Sequence, residues 1–306
     1  MEKLFTIDFG IARSDPELKK IQEDNSDYDP AYITASCHYR RQETKQWLED
    51  LWSQYQEYAD RNFLKEVKGA YFSQRMWEMY LACVLLEKGI SLIPKGEKGP
   101  DIQIKKDGKS IWIEAVVPQS GEGRDAVPGL VYGVVSDYPE EQILLRATNS
   151  LYEKLKAYKK WRQDNIIQDG DTCIIAINLG SMSHPTLDPG IPLILKCLFA
   201  VGYLTIPIKE GEKREPFWSE RKEIYKKSGS AVGMNLFEDE ESSIINVVIA
   251  SNDKIINSPK KKEKMGSNFI IVRNPKTMNP LPKDIFNFGI HYHKKGNNLH
   301  PISYTN

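Results

Sequence analysis

The stretch GPDIQIKKDGKSIWIEAVVPQ, Gly99 to Gln119, carries two carboxylates at positions where a sheet would take apolar side chains. Asp101 follows Gly-Pro and opens an alternating run, and Glu114 interrupts the apolar segment IWIEAVV. An ionised carboxylate inside a sheet is costly unless it is paired or bound to a metal. Two carboxylates on adjacent strands repel each other, and a hard divalent cation such as Mg²⁺ relieves that repulsion. An ion held this way can polarise a phosphodiester and lower the pKa of water. The plainer alternatives are a turn cap for Asp101 and a lysine partner at a sheet edge for Glu114.

The elements that must position these groups are legible from periodicity. DIQIKK and SIWIEAVVP alternate as strands, and KDGK reads as the hairpin turn between them. Upstream, YFSQRMWEMYLACVLLEKGI reads as a helix with Ser73 as N-cap and Gly89 as its stop. Trp77, Leu81, Val84 and Leu85 share one face of it, and Glu78 lies beside that face. ISLIP reads as a short strand. Downstream, PEEQILLRATNSLYEKLKAYKKWRQ has a long amphipathic helical pattern, and DTCIIAINLG is a buried strand. IPLILKCLFAVGY reads as a buried helix, and SIINVVIAS and NFIIVRNP as later strands. GEKREPFW and INSPKKKEKMGS read as loops or hairpin tips. Before all of these, ETKQWLEDLWSQYQEYADRNFLKEV places Trp47, Leu48, Leu51, Trp52, Tyr55, Tyr58 and Phe63 at helical spacing. The whole predicts an α/β domain with a mixed sheet flanked by helices.

The order helix with Glu78, short strand, GPDI, turn, IWIEA resembles the PD-(D/E)XK nuclease superfamily, also called restriction-endonuclease-like. The resemblance covers about Tyr71 to Asn178. It implies that Asp101 and Glu114 bind Mg²⁺, or alternatively Mn²⁺, and that Glu78 supports the metal shell. The backbone carbonyl of Ala115 would add a ligand. It implies Mg²⁺-dependent hydrolysis of phosphodiesters, with nucleic acid, DNA foremost, as the partner, and leaves room for a homodimer. A nuclease-fold protein that only binds nucleic acid or protein is the alternative.

That family pattern wants a lysine two residues after Glu114, on the same strand face. This chain has Val116. The long helix after the strand is the natural substitute donor. Gln142, Arg146, Ser150 and Lys154 follow at intervals of four and form one stripe, flanked by Leu144, Leu145, Leu151 and Leu155. Lys154 is therefore expected as the orienting cation. Arg146 and Ser150 are expected to contact substrate, and Gln119 is a weaker candidate. Lys156 points off the stripe. A solvent-facing stripe is the competing reading.

Composition narrows the setting. The chain has 306 residues, and its 42 acidic and 42 basic residues balance, so net charge announces no nucleic-acid partner. KKWR and SPKKKEK are basic, EDEE is acidic, and each reads first as a solvated loop. Cys37, Cys83, Cys173 and Cys197 form no CxxC pair, which fits a reducing compartment without a structural zinc site. The start MEKLFTIDFG lacks a leader pattern, and no apolar run approaches the ~20 residues that span a bilayer. A cytoplasmic location without a membrane partner is expected. His291 and His293 in HYH share a strand face, read as a surface strand rather than a metal pair. The SGEGRDAVPG loop lacks a Walker motif. The expected domains are a helical extension over 1–68 and a restriction-endonuclease-like α/β domain over 69–306.

Overall fold

The computed structural model describes residues 2–131, 133–182, 190–208, 216–257, 261–277, 279–282, 284–295 and 298–304. Parts of the expected GEKREPFW and INSPKKKEKMGS loops lie outside the described residues. The chain divides into two compact units. One comprises Met1–Val116 with Lys254–Gly266, the other Val117–Asp253 with Ser267–Asn306. The N-terminal helices and the motif hairpin thus belong to the same unit.

The first unit begins with helices α1 (Asp15–Asp24), α2 (Pro30–Cys37) and α3 (Gln42–Tyr55). Ser14 and Asp29 cap the first two through their side chains, each with proline in the first turn. The aromatic stripe is core: Leu48, Leu51, Trp52 and Tyr55 are buried, and Phe63 stacks on Trp52 at 5.0 Å. The single helix expected across this stretch breaks after Tyr55 and resumes as α4 (Phe63–Glu66). Between the two helices the Asp60 carboxylate accepts the Asn62 N–H at 2.7 Å, a local turn that competes with helix.

Helix α5 (Phe72–Glu87) follows, stopped where Gly89 takes φ +74°. Ser73 is not its N-cap: the cap position falls on Tyr71, without a side-chain cap bond. Nor is α5 apolar on one face alone, because Arg75 through Leu85 are all buried. ISLIP forms only an isolated bridge between Ile93 and Gln103, ended by Pro94, which has no N–H to give a ladder. The hairpin is as expected. Strands β1 (Ile102–Lys106) and β2 (Lys109–Val116) pair antiparallel from Ile102–Ile113 to Lys106–Lys109. Asp107 and Gly108 both have positive φ, as a two-residue type I′ turn requires.

In the second unit, α6 (Glu140–Gln163) precedes β3 (Thr172–Asn178), and Tyr158 of α6 donates its hydroxyl to the Ile174 carbonyl at 2.7 Å. The expected helix 191–203 is shorter: α7 (Leu193–Phe199) ends at Ala200 in the left-handed region, and the remainder becomes β4 (Val201–Thr205). This strand pairs with β5 (Phe217–Glu220), and β6 (Glu223–Tyr225) pairs with β7 (Ala231–Gly233). The larger sheet of this unit runs β3, β8 (Ile245–Ser251), β9 (Ile270–Arg273), β10 (Gly289–Lys295), β11 (Asn298–Tyr304). Its pairs are alternately parallel and antiparallel, so the sheet is mixed. Every residue of β3 and β8 is buried, which explains why their sequences are predominantly apolar rather than alternating. A bulge between Cys173 and Ile174 leaves Asn246 over, and its amide repairs the ladder. Asn246 accepts the Cys173 N–H at 2.7 Å and donates to Thr277 and Asn279, each at 2.6 Å.

The fold class is therefore mixed α/β. Among the described residues no helix is long and apolar enough to cross a membrane. All four cysteines are buried and outside disulfides. The HYH strand is not a surface strand at His291, which is 1% exposed and bonded to the Phe288 carbonyl. Burial pushes its pKa down to about 4, so it sits in the core as a neutral ring.

Candidate active site

Hairpin geometry brings the first two carboxylates together. Carried one residue past the Ile102–Ile113 pair, the register sets Asp101 across from Glu114. Opposed residues of an antiparallel pair share a face. Gln103 and Trp112 lie on that face, and the four buried isoleucines of the hairpin lie on the other. Glu114 is 7% exposed. Asp101 is fixed from two sides: Oδ2 accepts the Ala115 N–H at 3.0 Å, and Oδ1 accepts from Lys95 Nζ at 2.8 Å. Helix α5 packs on β2, and Gln74 donates Nε2–H to the Ala115 carbonyl at 3.0 Å. Val116 is buried in the core and offers no polar group.

Glu78 joins this group from α5. Its Oε1 accepts the Tyr55 hydroxyl at 2.5 Å, and its Oε2 accepts from Arg75 Nη1 at 2.6 Å. The Arg75 guanidinium also contacts Asp60 at 2.9 Å and gives Nε–H to Glu66 at 2.8 Å, and it lies over the Phe63 ring. Lys95 reaches Asp60 at 3.8 Å. Four carboxylates, Asp60, Glu66, Glu78 and Asp101, thus meet two cations, Arg75 and Lys95, and the fully ionised network would be negative.

The network resolves that imbalance at Glu78, which is fully buried. Burial pushes its carboxyl up to about 7, and Asp101 pushes the same way. Arg75, Lys95 and the Tyr55 hydroxyl oppose this. They do not win, because Arg75 is divided among three carboxylates while Glu78 has lost all its hydration. Burial, then Glu78, holds the Tyr55 hydroxyl well above its ordinary value. Burial works against the Lys95 and Arg75 charges, but the surrounding carboxylates outweigh it and raise both.

Beside the network opens a cleft of about 450 Å³, lined by Ala59–Asn62 and Lys95–Gly99. Asp60 and Lys95 belong to both cleft and network, and Lys95 is the cation of the two.

The other expected site residues belong to the second unit. Gln142, Arg146, Ser150 and Lys154 are all half-buried on α6, between buried leucines, as the stripe implied. Arg146 holds the preceding loop: Nη2 donates to the Asp125 carbonyl at 2.9 Å, and its guanidinium packs against Gly121. Gln119 is exposed. Lys156 is exposed and paired with Glu153 at 2.7 Å.

Sequence reasoning missed Arg75, Lys95, Tyr55, Asp60 and Glu66. Arg75 had a local signal, three residues before Glu78 on the same helix. Lys95 had none: it sits in a Gly-rich loop whose path decides where its side chain goes.

Among the described residues no group of three or more His, Cys, Asp or Glu side chains is arranged to hold a metal ion. A divalent ion here would take the Asp101 and Glu114 carboxylates, the Ala115 carbonyl and water. Mg²⁺ accepts that pattern, since it binds through one or two carboxylates and keeps several waters. Asp101 accepts the Ala115 N–H, which sets its carboxylate beside the backbone whose carbonyl would be the third donor, and its Oδ1 would be shared between the ion and Lys95. No family model, no curated protein and no solved structure matches the chain.

Proposed function

We propose that the protein is a Mg²⁺-dependent nuclease of restriction-endonuclease-like fold that hydrolyses phosphodiester bonds in DNA. The observation that carries this reading is the pairing of Asp101 with the Ala115 backbone on the hairpin face that also bears Glu114, backed by Glu78 from α5. The chain order of α5, β1, β2, α6 and β3 supports the same reading. When bound, Mg²⁺ would supply Lewis acidity toward the phosphodiester.

The chain's own residues have separate tasks. Asp101 and Glu114 would hold the ion with the Ala115 carbonyl, which Gln74 keeps in place. Tyr55 and Arg75 fix Glu78. A carboxyl held near neutrality can store a proton beside Asp101 at low cost. Val116 favours a second reading, a nuclease-fold protein that binds nucleic acid without cutting it, because the strand itself offers no cation.

Incubation with duplex and single-stranded DNA and with RNA, in Mg²⁺ or Mn²⁺, tests the proposal. Wild type should cleave DNA and Asp101→Asn should not. Binding without cleavage by wild type would select the second reading. Equal cleavage by wild type and Asp101→Asn would remove the site.

A further inference from the structure

The second motif strand has no cation where Val116 stands, yet the first unit places one on Asp101 by another route. Lys95 leaves the loop between α5 and β1. Pro94 ends the Ile93 bridge, and Gly99 at φ +105° lets the loop turn back toward the strand it precedes. The Lys95 ammonium then lies 2.8 Å from Asp101 Oδ1, and its side chain is 15% exposed. The same residue lines the open cleft, where Lys95 and the exposed Arg61 and Lys98 stand against two carboxylates, Asp60 and the exposed Glu97. An ammonium has three donors, and Asp101 takes one of them at close range. An anion entering the cleft meets a compact, fixed cation beside the carboxylate assigned to the metal.

We infer that this cleft seats a phosphate group of the nucleic acid and that Lys95 is the cation facing it, in the role Val116 cannot fill. The inference rests on the nuclease reading. In the hydrolysis a water oxygen adds to phosphorus and the bond to the departing sugar oxygen breaks. The water gives a proton to solvent and the departing oxygen takes one up, so nothing is oxidised or reduced. Lys95 stays an ammonium throughout and acts on the charge that gathers on the phosphoryl oxygens. A donor already held by Asp101 needs no reorganisation as that charge develops, so it favours the transition state over the ground state.

The test compares wild type, Lys95→Met, Lys95→Gln, Lys95→Arg and Lys154→Ala in steady-state DNA cleavage with Mg²⁺, with calorimetric titration of Mg²⁺ alone on each. Lys95→Met should lose on the order of a hundredfold in kcat with KM little changed. It should bind Mg²⁺ as tightly as wild type or more tightly, because Asp101 Oδ1 is released from a competing cation. Lys95→Arg should recover part of the rate. Should Lys95→Met fail to fold, Lys95→Gln keeps a hydrogen-bond donor for Asp101 without the charge and gives the same reading. Wild-type kcat in a folded Lys95 variant, with Asp101→Asn inactive, would overturn the inference and leave the nuclease intact. Loss of rate that only tracks loss of Mg²⁺ binding would overturn it too. Loss confined to Lys154→Ala would return the role to α6. A wild type that cleaves no DNA or RNA removes the nuclease reading, and the inference with it.

Discussion

Replacing Glu78 with glutamine should change how stability depends on pH. In the unfolded chain this carboxyl titrates near its ordinary value of 4.5, whereas in the native protein burial holds it at about 7. Between those values the native state binds more protons than the unfolded state. The slope of unfolding free energy with pH is then negative, so stability falls as pH rises through this window. Below the window both states are protonated and Glu78 contributes no slope. Above it both are ionised and the loss is complete. One pKa unit corresponds to about 1.36 kcal/mol, so the shift is worth about 3 kcal/mol. Glutamine is neutral throughout and keeps an acceptor for Arg75, so Glu78→Gln should lack this slope. Urea unfolding of both proteins in small steps between about pH 4.5 and 8 measures it, with stability from linear extrapolation. The wild type should lose about 3 kcal/mol relative to the variant across the window. Parallel curves would refute the reasoning, showing that Arg75 and Tyr55 compensate the buried charge fully.

Three further outcomes follow from the structure. Mg²⁺ at a hundred times its dissociation constant should stabilise the wild type by about 2.7 kcal/mol, read as a raised Tm, and Asp101→Asn with Glu114→Gln should abolish the rise; a rise unchanged in the double variant places the ion elsewhere. Gly121→Ala should destabilise the second unit by about 1–3 kcal/mol and speed proteolysis of the loop that Arg146 holds. At φ +75° the new Cβ would fall 2.1 Å from Arg146 Cζ, so unchanged protection would show that the loop is held by other contacts. Asn246→Ala should cost about 3 kcal/mol in urea unfolding, since it strips the buried Cys173 N–H of its acceptor; a loss below about 1 kcal/mol would mean the bulge repairs itself.

The sequence by itself determined the elements whose order depends on local chemistry. Asp107-Gly108 forces a tight turn, the turn sets the β1–β2 register, and register alone puts Asp101 across from Glu114. The long amphipathic α6 and the mainly apolar strands β3 and β8 were legible for the same reason: burial is written into their sequence pattern. Where competing local preferences were close, sequence reading erred. A side-chain turn at Asp60 lies between α3 and α4, Ala200 cut α7 short, and Pro94 reduced a strand to a bridge. Tertiary structure alone decided the electrostatics of the site. Asp60, Glu66, Glu78, Lys95 and Asp101 are separated along the chain by helices, a loop and a strand, and no spacing rule connects them. Only packing within the first unit brings them around Arg75 and Lys95. Burial then decides which carboxyl keeps its proton, because desolvation belongs to a position in the fold and not to a residue type.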